Sequence, residues 1–201
     1  LVVTSLMVVV VLLGSAGVSW SADFEKGFAA IQKSDFVTAL RELEPLAKQG
    51  HSDAQYNLAV MYENGQGVTQ NYKTAVKWYI LAAKQGHSVA QFNLGSMYYT
   101  GTGFSQDYKT AEKWFVLAAK HGYSDAQYSL GLMYYEGTVV SQNYKTAAAW
   151  YALAAKQGHS GALFYLGVMY QLGRGIPQDD KAAVSLYTVV AKQGHSDAQH
   201  N

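Results

Sequence analysis

The sequence predicts an all-α protein: a right-handed α/α solenoid of helix-turn-helix repeats with a 36-residue period, following an amino-terminal signal segment. Three observations lead there. Gly50, Gly86, Gly122, Gly158 and Gly194 stand 36 residues apart, and Ala54, Ala90, Ala126, Ala162 and Ala198 keep the same spacing. A fixed period between 20 and 50 residues marks a chain built of stacked supersecondary units. Apolar residues inside each unit recur at helical spacing. Only the first 13 residues form a long apolar run.

That run reads LVVTSLMVVVVLL, with Thr4 and Ser5 its only polar members. Spanning a bilayer takes about 20 residues, so it is short for a membrane helix. The small residues of GSAGVSWSA follow it, as they follow the apolar core of a secretory signal. We expect a signal peptide over 1–22, cut near Ala22 or at Ser21, and an exported chain, periplasmic or secreted. An uncleaved membrane anchor and a buried core helix are the alternatives.

Residues 23–50 read as a starting unit. Phe36, Ala39, Leu43, Leu46 and Ala47 align with the second helices of later units, and Pro45 is expected to loosen that helix. Four whole units follow, 51–86, 87–122, 123–158 and 159–194, and 195–201 begins a truncated fifth. The first helix of each unit, helix A, opens in unit one as SDAQYNLAVMYENG. Ala54, Leu58, Met61 and Tyr62 share one face. Ser52 reads as its N-cap, with Gln55 completing a capping box. Ser88 with Gln91, Ser124 with Gln127 and Ser196 with Gln199 repeat the pattern, which Leu163 breaks. Gly65 ends helix A in a left-handed cap. Helix B, YKTAVKWYILAAKQG, packs through Ala75, Trp78, Tyr79, Ala82 and Ala83. Ala59, Gly95, Gly131 and Gly167 mark close approaches, and Trp78, Trp114 and Trp150 fill gaps. Unit four drifts, with Asp180, Leu186 and Val190 replacing Tyr, Trp and Ala. Val139 stands where other units have Gly67, Gly103 and Gly175, so that loop is either strained or rebuilt.

Composition narrows the function. Lys plus Arg is 15 against 14 for Asp plus Glu, which leaves no basic excess for nucleic acid. Cysteine is absent, which removes disulfides, thiolate metal sites and a thiol nucleophile. His51, His87, His159 and His195 share one repeat position. Packed helices lie about 8–10 Å apart, so such a ladder cannot converge on one ion, and the histidines read as exposed turn residues. Gly65 with Gly67, Gly101 with Gly103 and Gly173 with Gly175 follow helices and read as turns, not phosphate loops. Lys73, Lys84, Lys109, Lys120, Lys145, Lys156, Lys181 and Lys192 read as a solvated convex face. Asp53 and Asp125 sit near helix starts, where a carboxylate suits the dipole. No Ser–His–Asp set can be assembled, and neither cofactor nor metal is expected.

The segment AQFNLGSMYYTGTGFSQDYKTAEKWFVLAAKHG, residues 90–122, resembles the Sel-one-like repeat family, a branch of the tetratricopeptide-type solenoids; the resemblance covers 23–201. It implies that helix A lines a concave groove. The positions on that helix which vary between units are then candidate partner contacts: Asn57, Val60 and Asn64; Asn93, Ser96 and Tyr99, with Thr100; Ser129, Leu132 and Tyr135, with Glu136; Tyr165 and Val168, with Leu172. Glu63 and Gln171 vary beside them. Asn57 and Asn93 resemble groove asparagines that hold a peptide backbone, for an Asn amide both donates and accepts. The expected function is an exported, non-catalytic scaffold or adaptor that binds another protein or a peptide. Two alternatives stand. One is a cell-envelope hydrolase of the β-lactamase-like type linked to cysteine-rich relatives, whose disulfides this chain lacks. The other is a structural solenoid that self-associates through its C-terminal repeat.

Overall fold

A computed structural model describes residues 22–194. The apolar run, nearly all of the expected signal segment and the start of a fifth unit lie outside the described residues. Within them stand ten α-helices and no strand: α1 (Phe24–Gln32), α2 (Phe36–Lys48), α3 (Ser52–Asn64), α4 (Tyr72–Lys84), α5 (Ser88–Thr100), α6 (Tyr108–Lys120), α7 (Ser124–Glu136), α8 (Tyr144–Lys156), α9 (Ser160–Leu172) and α10 (Asp180–Lys192). Helices pack chiefly on their chain neighbours, the arrangement of a solenoid in which each unit covers the next. The A helices are α3, α5, α7 and α9; the B helices are α4, α6, α8 and α10. Pro45 lies inside α2, which runs on through it to Lys48 without interruption.

The core is continuous from unit to unit. Ala59, Tyr79 and Ala82 of unit one share one buried cluster with Ala90 and Leu94 of unit two. Trp78 packs against both this cluster and the one before it. The small residues on helix A admit a ring from helix B: a Cβ on Gly95 would stand 2.7 Å from the Phe115 ring. Gly131 and Gly167 face the rings of Tyr151 and Tyr187 in the same way.

Helix starts differ from the expected capping box. The N-cap is the histidine, one residue before the serine. His51, His87 and His159 have extended backbones, and their Nδ1 atoms accept from the N–H groups of Ala54, Ala90 and Ala162 at 3.3, 3.2 and 3.1 Å. These rings are half-buried rather than exposed. They stack on Phe24, Tyr56 and Tyr128 at 4.8, 4.6 and 4.5 Å between centroids. In unit three Tyr123 occupies the position, makes no side-chain cap and packs on Phe92.

The glutamine of the expected box turns inward instead. Gln55, Gln91 and Gln127 are buried. Their Nε2 atoms donate to the carbonyls of Ala47, Ala83 and Ala119, near the end of the preceding helix, at 3.0, 2.9 and 3.1 Å. Their Oε1 atoms accept from Gln85, His121 and Gln157, the C-cap residues of their own B helices. One amide thus joins three helices.

Gly65, Gly101, Gly137 and Gly173 close the A helices in the left-handed conformation. The second loop glycine also has positive φ, and it abuts the start of the previous B helix: a Cβ on Gly67 would lie 2.5 Å from that of Phe36, and Gly103 and Gly175 press on Tyr72 and Tyr144. Val139 lacks positive φ. The loop there is rebuilt, losing the bond to the Met133 carbonyl that Gln66, Thr102 and Arg174 form to their own methionines.

The His87 cap ties stability to pH. His87 lies below the ordinary histidine value of about 6.5: burial disfavours its charged form and outweighs Asp53, whose Oδ1 is 3.3 Å from Nε2. Nδ1 can cap only while unprotonated. On acidification the unfolded chain therefore takes up the proton first, so this contribution is full above about pH 6.5 and declines below it. Asparagine caps without titrating. In urea titrations at pH 7.5 and 5.5, the His87→Asn chain is expected to lose less stability between the two than the parent chain.

Candidate functional site

The A helices present a face whose character changes from unit to unit, and three repeat positions govern it. The first is an aromatic residue on helix B: Tyr79, Phe115, Tyr151 and Tyr187. The second lies near the end of the paired helix A: Glu63, Tyr99, Tyr135 and Gln171. The third lies on the following helix A: Asn93, Ser129 and Tyr165, with the fourth member outside the described residues.

In unit one the set forms a closed polar network. The Tyr79 hydroxyl donates to Glu63 Oε2 at 2.5 Å and accepts from Asn93 Nδ2 at 3.1 Å. Burial first, and Glu63 second, push the Tyr79 hydroxyl well above the usual phenol range. In unit three both polar partners are replaced by rings. Tyr151 stacks on Tyr165 at 5.4 Å and meets Tyr135 at 6.4 Å. Its buried hydroxyl has no hydrogen-bond partner. In unit four Tyr187 donates to Gln171 Oε1 at 2.9 Å.

Unit two is different. Phe115 has no hydroxyl, and Ser129 is shorter than Asn or Tyr. Its Oγ turns back to the Asp125 carbonyl at 2.8 Å. A hollow of about 290 Å³ opens between α5 and α7, above Phe115. Ser96, Tyr99 and Thr100 form the α5 wall, and Ser129, Leu132, Met133 and Glu136 the α7 wall. Across α5 a second hollow of about 290 Å³ shares Ser96 and Thr100 and is bounded by Glu63, Asn93, Thr102 and a single apolar side chain, Met97.

Of the residues singled out from the sequence, Ser96, Tyr99, Ser129 and Leu132 come together in the first hollow, and Asn93 and Ser96 in the second. Tyr135 and Tyr165 meet in the aromatic cluster of unit three. Asn57 turns its amide to the Asp53 carbonyl of its own helix at 2.8 Å. Val60 packs on the core and Asn64 is exposed. These three and Val168 line neither hollow. Sequence reasoning missed Phe115, Met97, Met133 and Thr102. For Phe115 a signal existed, since it is the only member of its repeat position without a hydroxyl.

Charge divides by layer. The four A helices contain no Lys or Arg, and carry Asp53, Glu63, Asp125 and Glu136. The four B helices carry ten lysines against Glu112 and Asp180. Among the described residues no group of three His, Asp or Glu side chains could hold a metal ion, and no helix is long and apolar enough to cross a membrane.

The Sel1 repeat model matches 52–87, 88–123, 124–159 and 160–195. The chain belongs to the Sel1 repeat family. It is similar to a Sel1 repeat protein from Oxalobacter formigenes, with 34% identity, a TM-score of 0.84, and coverage of 88% of this chain and 73% of that one. It is also similar to a protective antigen of uropathogenic Escherichia coli that displays the same fold, at 33% identity and a TM-score of 0.64. That match covers 88% of this chain but only 46% of the antigen. Cysteine-rich protein B of Helicobacter pylori, at 20% identity and a TM-score of 0.51 over 64% of this chain and 92% of that one, shares the fold. No curated protein matches the chain. Sel1 repeats generally mediate protein–protein interaction and are generally non-catalytic.

The hydroxyls of the first repeat position have opposite expected effects. Tyr79→Phe removes two hydrogen bonds inside the core and is expected to cost about 1–3 kcal/mol. Tyr151→Phe removes a buried hydroxyl that has no partner, and is expected to be neutral or stabilising. Denaturant unfolding of the two variants measures both.

Proposed function

We propose that this Sel1 repeat chain is an exported, non-catalytic scaffold that binds an extended segment of another protein along the face of its A helices. The observation that carries the reading is the hollow between α5 and α7. It lies on the face whose residues vary between repeats, and its walls combine apolar side chains with hydroxyls and a carboxylate. At about 290 Å³ the hollow is at or below the small end of small-molecule sites, and it has room for a few side chains of a peptide. The second hollow, on the other side of α5, shares Ser96 and Thr100 with it and extends the indented surface.

The apolar run at residues 1–13 and the small residues after it support export. The hydrolase alternative gains no support from the hollow, whose serines have no histidine among the lining residues. Self-association draws on the exposed Leu172, Val184 and Val189 of unit four. Those side chains lie apart from the hollows.

Asn93→Ala is a poor probe of this face, because the Asn93 amide also supports Tyr79. Leu132 is better placed. Peptides selected from a displayed random library on the immobilised full chain are expected to bind the Leu132→Asp variant at least about tenfold more weakly. Circular dichroism establishes that the variant is folded, and Lys109→Ala on α6 is expected to bind as the parent does. Peptides lost with Lys109→Ala and indifferent to Leu132→Asp would contradict the assignment.

A further inference from the structure

Unit three holds an arginine of this chain against a pair of tyrosines. In unit three Tyr135 and Tyr144 meet edge to face, with centroids 5.3 Å apart. The guanidinium of Arg174, from the next loop, lies 5.8 Å from one ring centroid and 5.4 Å from the other. Its Nη1 donates to the Tyr135 hydroxyl at 2.7 Å. One repeat earlier the same pair recurs: Tyr99 and Tyr108, edge to face at 5.2 Å. No arginine covers that pair, because Thr138 stands where the next repeat has Arg174.

Two further differences leave the earlier pair open and charged. Gly175 presses on Tyr144, but Val139 takes a different backbone conformation and its loop is rebuilt. Tyr108 is left 39% exposed. Where the later repeat has Leu172, this one has Glu136, which lines the same hollow as Tyr99. Glu63 and Glu112 each accept a tyrosine hydroxyl. Glu136 forms no ion pair among the described residues, and the four A helices offer it no Lys or Arg.

We infer that the site formed by Tyr99, Tyr108 and Glu136 is an anchor for an arginine side chain of the bound segment, in the place that Arg174 fills one repeat later. The inference rests on the groove reading of the A-helix face. The chemistry of the walls selects this occupant. A hydrocarbon stem lies over Phe115, Leu132 and Met133 while a cationic head reaches the rim, as amphipathic basic side chains do. A planar guanidinium stacks on tyrosine and forks to a carboxylate; an ammonium does so less well. The negative A layer attracts a basic segment and repels an acidic one.

The probes are the library-selected peptides and synthetic copies with the anchor residue changed. Arginine is expected to be enriched at one position. Replacing it with citrulline, which keeps the shape and removes the charge, is expected to weaken binding about tenfold, and lysine is expected to fall between them. Glu136→Gln is expected to weaken the arginine peptide and leave the citrulline peptide unchanged, since the two changes remove one interaction. Thr138→Arg is expected to fill the site from within and displace the arginine peptide, with unfolding unchanged. Peptides that depend on Leu132 yet show no arginine enrichment, or bind equally with citrulline, would overturn the anchor and leave the groove standing. A library that yields no peptide sensitive to Leu132 would overturn both.

Discussion

One buried amide in each of the first three repeats sets how successive helix pairs of this solenoid sit on one another. Gln55, Gln91 and Gln127 each reach the last turn of the preceding helix, where a helix has carbonyls without intrahelical partners. Their other end is held by the C-cap of their own B helix. A buried acceptor left unmade costs about 1–3 kcal/mol, so an A helix that slid or rotated would lose more than dispersion. Apolar packing alone tolerates such sliding. Where it is present, the amide fixes which residues of successive A helices face each other, and hence which three residues meet above Tyr79 and Phe115.

With that frame held constant, small substitutions have local and readable effects. A tyrosine flanked by Glu63 and Asn93 becomes a hydrogen-bonded plug. The same tyrosine flanked by two more tyrosines becomes an aromatic plug with an orphaned hydroxyl. A phenylalanine flanked by Tyr99 and Ser129 leaves space. The shared pattern is occupied with holding the stack together, so the proposed recognition rests on departures between repeats. The separation of charge is a second consequence. Lysines on the B layer stay solvated on the outer side of each pair, and the A layer keeps only acids.

Much of this was legible in the sequence. The period, the helix pairs, the left-handed glycines and the tight approaches at Gly95, Gly131 and Gly167 follow from spacing and residue size. The start of helix A was misread by one residue. Ser-x-x-Gln satisfies a capping-box pattern, but a histidine Nδ1 is also an acceptor, and the glutamine gains more by binding a buried carbonyl than an exposed N–H. The candidate groove was legible as a face, since variation against a constant core is visible in one chain. Its depth was not. Depth depends on a missing hydroxyl at Phe115 and a short Ser129 from different helices, and only the fold puts them together. Asn57, singled out for its side-chain chemistry, is engaged by its own helix, an outcome that residue type does not reveal.

The repeats supply a reporter for the central claim. Met61, Met97, Met133 and Met169 occupy one position in successive A helices, and only Met97 and Met133 line the hollows. With the methionine methyls ¹³C-labelled in the full unmutated chain, titration of a selected peptide can be followed in all four at once. The account predicts that the Met133 and Met97 signals move with the binding isotherm while Met61 and Met169 hold still. A peptide that binds while Met97 and Met133 stay in place would contradict recognition at the A-helix face beside α5.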